Sequence, residues 1–290
     1  MFEGMTRLGD ADPRRLGPYR LHGVLGSGAL GTVYAGRGTP GRGGRRRSVA
    51  VRALRPELLR DRSLRARLRH VTRTLADEVA SPYVAGALDC ELDGERPWLA
   101  GELVPGTALA TLVARYGPLP EPGLRAVGGA VARALAALHA VGVPHGDLRA
   151  ANVLLTSDTP RVVDHGLGTV VGDRGSDDGT VEPTAADLFD LGALLCHAAG
   201  ARPSPGGPAS AARAAPDVTA VPEALRPALL ACLRAAPGAR PEAHELARLL
   251  DPAGRAEREA TEWLPEAYLD EIVLRAQDVR ESRGRRFLGR

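Results

Sequence analysis

The first hundred residues carry most of the patterns that are typical of strands. Alternating apolar and polar residues, and short apolar runs bounded by turn residues, predict strands. The predicted strands are Tyr19–Leu25, Val49–Leu54, Cys90–Leu92, Pro97–Val104, Val153–Leu155 and Val162–Val163. Because most of them precede Pro105-Gly106, the N-terminal part of the chain is expected to be β-rich.

Helical spacing dominates the rest of the chain, after one early helix. Apolar residues spaced by three and four positions predict helices that bury one face. The predicted helices are Leu64–Leu75, Glu121–Val141, Leu225–Ala235 and Ala243–Leu250. A last apolar stripe near the C-terminus predicts an amphipathic helix that docks on its own chain rather than on a partner. That stripe consists of Leu264, Tyr268, Ile272 and Val273.

Length and composition set the size and the setting of the protein. A chain of 290 residues can form one large domain or two lobes. A net charge of +3 does not by itself indicate nucleic-acid binding, and none is expected. No run of about 18 apolar residues occurs, so no membrane partner is expected.

The scattered Cys90, Cys196 and Cys232 lack metal-site spacing and indicate buried thiols in a reducing compartment, so a cytoplasmic location is expected.

A glycine-rich segment follows the first predicted strand. Residues 26–34 have the sequence GSGALGTVY, in which Gly26, Gly28 and Gly31 would let a hairpin lie close to phosphate groups. Glycines at this spacing also serve ordinary turns. Strand patterns on both sides favour a phosphate-covering hairpin over a dinucleotide-binding turn, which requires a helix after the glycines.

A second polar segment lies at residues 145–155, with the sequence HGDLRAANVLL. It places Asp147 and Asn152 five residues apart, and Asp164-His165-Gly166 follows the next predicted strand. One carboxylate near an attacking hydroxyl, with an amide and a second carboxylate on magnesium, suits phosphoryl transfer. The alternative is an accidental polar turn, but the glycine-rich segment upstream stands in the order that phosphoryl transfer requires.

The two segments together resemble the protein kinase family, in particular bacterial serine/threonine kinases of actinobacterial type. The family patterns are GxGxxGxV, HRDLKxxN and DFG, and the resemblance covers about residues 18–251. It implies an α+β, bilobal fold with a small β-rich N-lobe and a larger helical C-lobe. The expected organisation is a flexible leader over 1–17, the N-lobe over 18–104, the C-lobe over 105–251, and a C-terminal amphipathic helix and tail over 252–290.

The resemblance also implies a set of site residues for ATP and Mg²⁺. The residues expected to take part in catalysis are Asp147, Arg149 and Asn152. Those expected to bind the nucleotide are Gly26, Gly28, Gly31, Val33, Ala50, Arg52, Glu102, Val104 and Leu154. The expected metal ligands are Asn152 and Asp164. Asp187 matches the family position that braces the catalytic loop, and Gly101 would leave a roomy pocket behind the adenine.

Several positions depart from the family pattern. The lysine that grips the first phosphates is Arg52, whose planar guanidinium is not equivalent to an ammonium. Its glutamate partner would fall near Val71, where no acid stands; Glu78 would be the partner only if the helix register were different. Gly146 replaces the family's arginine, and the segment Leu167–Glu182 is short for a peptide-binding platform.

Three hypotheses follow from these matches and departures. The favoured one is a kinase-family protein that binds ATP–Mg²⁺ with weak or no phosphotransfer, pseudokinase-like, acting through an unknown protein partner. The second is an active serine/threonine protein kinase that uses Arg52 on an unknown protein substrate. The third is a small-molecule phosphotransferase, because HGDLxxxN also resembles the aminoglycoside and choline kinase families.

Overall fold

A computed structural model describes residues 5–41, 45–168, 182–201 and 217–284. They form two lobes. The small lobe contains six antiparallel strands in the order β1-β2-β3-β4-β6-β5. The strands are β1 (Arg15–Leu16), β2 (Tyr19–Gly28), β3 (Gly31–Gly38), β4 (Arg47–Leu54), β5 (Ala87–Glu91) and β6 (Trp98–Glu102).

Helix α1 (Arg62–Glu78) packs against β5 on one face of this sheet. Asp61 caps its N-terminus, because the Asp61 carboxylate accepts a hydrogen bond of 2.7 Å from the Ser63 amide. The predicted stripe is confirmed: Leu64, Leu68 and Leu75 are buried, and Val71 is partly buried against the large lobe.

The residues expected to form a loose leader lie along the small lobe instead. Thr6 and Val24 exchange backbone hydrogen bonds of 3.0 and 2.9 Å, and the hydroxyl of Tyr34 donates to Asp12 at 2.8 Å. Leu16 is buried in the small-lobe core. The polar composition of residues 5–17 concealed these contacts, because most of them are made by the backbone at the edge of the sheet.

The large lobe is mainly helical, as predicted. It contains a small antiparallel sheet of β7 (Thr107–Ala108), β8 (Val153–Leu155) and β9 (Arg161–Val162). Its helices are α2 (Leu109–Tyr116), α3 (Glu121–Ala140), α4 (Pro183–Ala198), α5 (Arg226–Cys232) and α6 (Ala243–Leu250). Helix α7 (Glu266–Gly284) follows them. None of the helices in the described ranges combines the length and apolar composition that a membrane crossing requires.

Helix α3 is the centre of the large-lobe core. The five residues of its predicted stripe are almost fully buried: Leu124, Val127, Val131, Leu135 and Leu138. Its small residues allow close helix packing. A Cβ atom on Gly128 would lie 3.0 Å from Leu195, and one on Gly129 would lie 2.4 Å from Asp251. The chain therefore builds a dense core from alanine, glycine and leucine with few aromatic rings.

Several predicted bounds differ from the structure; for example, Cys90–Leu92 was predicted as a strand, whereas β5 spans Ala87–Glu91. Leu103 and Val104 were predicted within a strand but follow β6, because the chain passes from one lobe to the other there. Val163 lies just beyond β9, where its amide donates to the Asn152 carbonyl at 2.9 Å. Helix α5 is shorter than Leu225–Ala235, since its first turn is a 3₁₀ turn and it ends at Cys232.

Candidate active site

A cavity between the two lobes brings together most of the nucleotide-binding positions predicted from the sequence. The predicted residues on its wall are Val33, Ala50, Arg52, Glu102, Val104, Leu154 and Asp164, and Leu25 lies beside them. The wall continues past Gly101 to Leu68, Val71 and Leu75 of α1. The expected space behind Gly101 is therefore present.

The three predicted glycines lie on the β2–β3 hairpin, beyond the residues of the cavity wall. Gly31 has a φ of +134°, and a Cβ atom there would lie 1.9 Å from the Ala53 carbonyl oxygen, so only glycine fits. A Cβ atom on Gly28 would meet nothing within 4 Å. Gly28 therefore leaves the hairpin tip open to a ligand group, while Gly31 holds the hairpin against β4.

Glu102 and Val104 lie where β6 leads into the large lobe. The Glu102 carboxylate accepts hydrogen bonds from Arg161 at 2.6 Å and from the Gly86 amide at 3.1 Å. Its amide also donates to the Gly86 carbonyl at 2.8 Å, so Glu102 lies on the wall without offering its carboxylate or its amide to a ligand.

The predicted catalytic residues are grouped on the loop between α3 and β8. The Asn152 amide nitrogen donates to the Asp147 carbonyl at 2.8 Å and to the Asp147 carboxylate at 3.2 Å. The mostly exposed Arg149 pairs with the same carboxylate at 3.2 Å. The donor side of Asn152 is thus used within the loop, and its side-chain oxygen remains for another ligand.

Asp187 of α4 holds this loop in place. It is fully buried and accepts hydrogen bonds from the His145 amide at 2.7 Å, the Gly146 amide at 2.8 Å and the His139 ring at 2.8 Å. A buried carboxylate that accepts from two backbone N–H groups fixes the backbone that carries them. The geometry agrees with the bracing role that the family resemblance implied.

Arg52 and Asp164 form an ion pair at the inner end of the cavity. The Arg52 side chain is 10% exposed and that of Asp164 is 25% exposed. Asp164 has a φ of +61°, in the left-handed region that few residues other than glycine adopt, although aspartate does so more often than most. The contact between Arg52 and the predicted metal ligand was not anticipated from the sequence.

The protein kinase domain family matches residues 19–186, which is more than half of the chain. The chain belongs to the protein kinase family. The matched region includes the glycine-rich hairpin, the catalytic loop, the Asp164-His165-Gly166 turn and the start of α4.

Bacterial relatives place the chain among eukaryotic-like serine/threonine kinases. It is 32% identical to the serine/threonine-protein kinase AfsK of Streptomyces coelicolor, over 90% of this chain and 36% of AfsK. It is 31% identical to the probable serine/threonine-protein kinase PkwA of Thermomonospora curvata, over 92% of this chain and 38% of PkwA. The chain thus spans a little over a third of the length of these relatives.

A solved structure confirms the fold. The Mycobacterium tuberculosis PknI kinase domain superposes with a TM-score of 0.64 and 28% sequence identity, covering 80% of this chain and 94% of PknI's domain. The prediction of a bilobal α+β kinase fold is therefore confirmed.

The kinase glutamate that should face Arg52 has no counterpart on α1. Val71 lies on the cavity wall, and a Cβ atom added to Gly166 would come within 2.7 Å of its Cγ1 atom. Glu78 is exposed and is the last residue of the helix. The structure therefore puts Val71 next to the Asp-x-Gly turn, as the predicted register requires.

Two buried histidines support this turn. His165 stands where the family has phenylalanine. Its Nε2 atom lies 2.8 Å from the Ala85 carbonyl oxygen. Because a carbonyl can only accept, Nε2 carries the proton and donates it. The His145 ring lies edge-on to it with 6.4 Å between centroids, and its Nδ1 accepts from the Asp147 amide at 3.2 Å. Burial lowers the pKa of His145 to about 4 and also lowers the pKa of His165.

These lowered pKa values predict loss of stability in mild acid. Each ring binds a proton in the unfolded chain below about pH 6.5 but resists protonation in the folded state, so unfolding takes up protons. The stabilisation is complete above about pH 6.5 and is lost as the pH falls toward 4.

We expect His165→Phe to show a smaller fall in melting temperature between about pH 7.5 and about pH 5 than the unmodified protein. Thermal denaturation at both pH values measures this, with exposed His244→Gln as the control. An unchanged pH dependence in His165→Phe would show that His165 does not contribute.

Protein kinases use ATP and Mg²⁺, and the donor atoms of this site fit that ion. Asp164 and the free side-chain oxygen of Asn152 are hard oxygen donors of the kind that magnesium prefers. Nucleotide phosphates and water would have to supply its other ligands. One feature opposes the ion: the guanidinium of Arg52 already contacts the Asp164 carboxylate.

Helix α7 contributes two cavity-wall residues that were not predicted from the sequence. Arg275 and Val279 of α7 lie on the cavity wall together with the kinase positions. The signal was present in the C-terminal stripe, because Arg275 and Val279 continue the spacing of Tyr268 and Ile272. The stripe indicated a buried helix face but not the surface that it covers.

Proposed function

We propose that this protein binds ATP–Mg²⁺ in the interlobe cavity, transfers phosphate weakly or not at all, and acts through a protein partner. The observation that carries the proposal is the ion pair between Arg52 and Asp164. In an active kinase, the corresponding cation grips phosphates and is held by a glutamate of the small-lobe helix, and the aspartate is left to the metal. Here the cation and the metal would share one carboxylate.

The surroundings of Arg52 strengthen this argument. Val71 offers no charge to draw Arg52 away from Asp164, and the chain has no lysine that could replace the missing ammonium. Asp164 is the one carboxylate that pairs with Arg52 within the described residues. Leaving a largely buried arginine unpaired is costly, so Arg52 resists releasing Asp164 to magnesium. Phosphate charge on a bound nucleotide would offset part of that cost, which is compatible with binding but slows the chemistry.

The nucleotide-binding part of the proposal has independent support. Leu25, Val33, Ala50 and Leu154 surround an apolar slot beside the backbone of Glu102–Val104. A flat base between aliphatic side chains, with its polar edge on backbone groups, is the usual arrangement of a cofactor pocket. Gly28 and Gly31 lie on the hairpin next to this slot.

An active serine/threonine protein kinase that uses Arg52 is the second candidate. It is favoured by the presence of Asp147, Asn152 and Asp164, the first two hydrogen-bonded to each other, and by relatives that are named serine/threonine kinases. A small-molecule phosphotransferase has less support, because those families carry Asp-x-x-Asp at the metal loop and Leu167 follows Asp164-His165-Gly166 here. The predicted peptide platform, Leu167–Glu182, falls mostly outside the described residues.

The setting and partners are proposals of the same kind. We place the protein in the cytoplasm, with ATP and an unidentified protein as partners, and without nucleic acid or membrane. Three free thiols, of which Cys196 and Cys232 are buried, agree with a reducing compartment.

Purified protein incubated with labelled ATP and magnesium, with and without generic protein acceptors, tests the proposal. We expect slow autophosphorylation or ATP hydrolysis and no steady transfer to acceptors. Asp147→Asn is the control, because it removes the proton acceptor while keeping a similar shape. Transfer to acceptors at ordinary kinase rates, on the order of 1–100 per second, would favour the active-kinase candidate instead.

A further inference from the structure

Helix α7 begins on the large lobe and contacts the small lobe through Val279. The hydroxyl of its Tyr268 donates to the Gly117 carbonyl at 2.6 Å, and its Glu271 accepts from Tyr116 at 2.8 Å and Arg115 at 3.0 Å. Two turns further on, Val279 is 2% exposed and packs in a cluster with Ala35 of β3 and Leu103. The helix therefore crosses the mouth of the interlobe cavity.

Arg275 is the charged residue on the buried face of this crossing. It is 9% exposed and lies on the cavity wall, and its Nη1 atom has no hydrogen-bond partner in the described part of the chain. Four buried side-chain polar atoms of the described residues lack a partner, and three of them belong to residues of this wall. Those three residues are Thr107, His165 and Arg275.

An unpaired guanidinium in an apolar wall is unfavourable on its own. Burial lowers the pKa of Arg275, while Asp278 and Glu271 act in the opposite direction. An arginine nevertheless stays protonated near neutral pH, so its buried N–H group needs an acceptor. The shortage of acceptors around Arg275, beside the missing partner of Thr107, points to an oxygen-rich ligand in the cavity.

We propose that Arg275 of α7 is a nucleotide-contacting residue, which donates from Nη1 to a ribose or phosphate oxygen, with Val279 closing the adenine side of the pocket. The C-terminal helix then forms a wall of the nucleotide site. This inference rests on the proposed nucleotide binding. It assigns to the C-terminal helix a direct part in recognition, beyond packing on the large lobe.

The opposite role for α7 is a plug that excludes nucleotide. A helix whose function is to fill the cavity would be expected to satisfy its own buried polar groups, since each unsatisfied one destabilises the closed state. Arg275 does the reverse, because it leaves a donor in the cavity wall. The two roles predict opposite changes in affinity when Arg275 is removed.

The test compares ATP–Mg²⁺, AMP and adenosine binding by isothermal titration calorimetry in the full chain. We expect Arg275→Ala to weaken ATP binding by roughly tenfold or more, which is typical for loss of a charge-assisted hydrogen bond. Gln277→Ala, on the exposed face of the same helix, should bind as the unmodified protein does. A loss shared by adenosine locates the contact at the ribose, and a loss confined to AMP and ATP locates it at a phosphate.

Melting temperature without nucleotide separates this role from a structural one. Removing an unpaired buried guanidinium should leave the melting temperature unchanged or raise it, whereas loss of a structural contact would lower it together with affinity. Arg275→Lys, which keeps the charge, should recover part of the ATP affinity.

Equal ATP affinity in Arg275→Ala and the unmodified protein would refute the contact while leaving nucleotide binding intact. Tighter binding in Arg275→Ala would refute it in favour of the plug. Absence of nucleotide binding by the unmodified protein would refute both this inference and the proposed function.

Discussion

Replacing Asp164 with alanine is expected to abolish the magnesium-dependent stabilisation by ATP and to destabilise the protein without ligand. The first effect follows because the variant loses a predicted metal ligand. The second follows because Arg52, only 10% exposed, loses its carboxylate partner. Breaking a buried ion pair by removing one partner costs roughly 3–5 kcal/mol, and the partial exposure of Asp164 puts this case nearer the lower figure.

Thermal denaturation with and without ATP and magnesium measures both effects in one experiment. Ligand binding to the folded state raises the melting temperature by mass action, so loss of binding removes the ATP-induced rise. Asp158→Ala, an exposed acid in a nearby turn, is the matched control and should keep that rise. An ATP-induced rise that persists in Asp164→Ala would contradict the metal assignment, and its absence in the unmodified protein would indicate a scaffold that does not bind ATP.

A companion variant separates the two effects of Asp164. Arg52→Met combined with Asp164→Ala removes both charges, so the ligand-free protein should recover most of the lost stability, since no buried charge remains unpaired. Magnesium-dependent ATP binding should stay absent. Recovery of stability would show that Asp164→Ala destabilises the protein by leaving Arg52 unpaired, separately from the loss of a predicted metal ligand.

The sequence was informative wherever local spacing determines the outcome. Asp147 and Asn152, five residues apart, hydrogen-bond to each other in one loop, and Gly31 adopts a φ that only glycine tolerates. The apolar stripe of α1 is long enough to show which residues face the sheet and the cleft. It predicted that Val71 faces the cleft, and Val71 lies on the cavity wall. In each case the deciding interaction joins residues that are near in the chain or on one helix face.

The contacts that were missed join residues far apart in the chain. The absence of the kinase glutamate follows from counting residues along α1. The pairing of Arg52 with Asp164, in contrast, depends on how β4 and the Asp-x-Gly turn meet in space. The position of Arg275 depends on the angle at which α7 leaves the large lobe, which no local pattern specifies. Pairing of residues 5–16 with the small lobe was missed because backbone hydrogen bonds carry no side-chain signature.

The last prediction is that Arg52→Lys and Val71→Glu together raise phosphotransfer more than the product of their separate effects. A carboxylate at position 71 would lie on the cavity wall that also holds Arg52, next to Gly166. It would give the cation of β4 a partner other than Asp164. An ammonium at position 52 suits this exchange better than a guanidinium, because it is a compact point charge that can contact both a carboxylate and a phosphate.

Rates of autophosphorylation and ATP hydrolysis in the two single variants and the double variant complete the cycle. Coupling of residues in contact is typically 0.5–3 kcal/mol, so the double variant should exceed the product by roughly 2- to 150-fold. His70→Glu with Arg52→Lys is the matched control, since it adds the same charge at the neighbouring but exposed position. It should show no coupling.

Each deviation from this result has a specific structural meaning. Strictly multiplicative rates would show that Arg52 does not exchange Asp164 for the new carboxylate, or that the region after Leu167 limits the reaction. Coupling in the His70 control as large as that in the Val71 pair would contradict the register of α1.

Val71→Glu alone should already strengthen magnesium-dependent ATP binding, because Arg52 can move to the introduced carboxylate and release Asp164 to the metal. That single variant thereby tests the competition between Arg52 and magnesium on which the proposed weak activity depends.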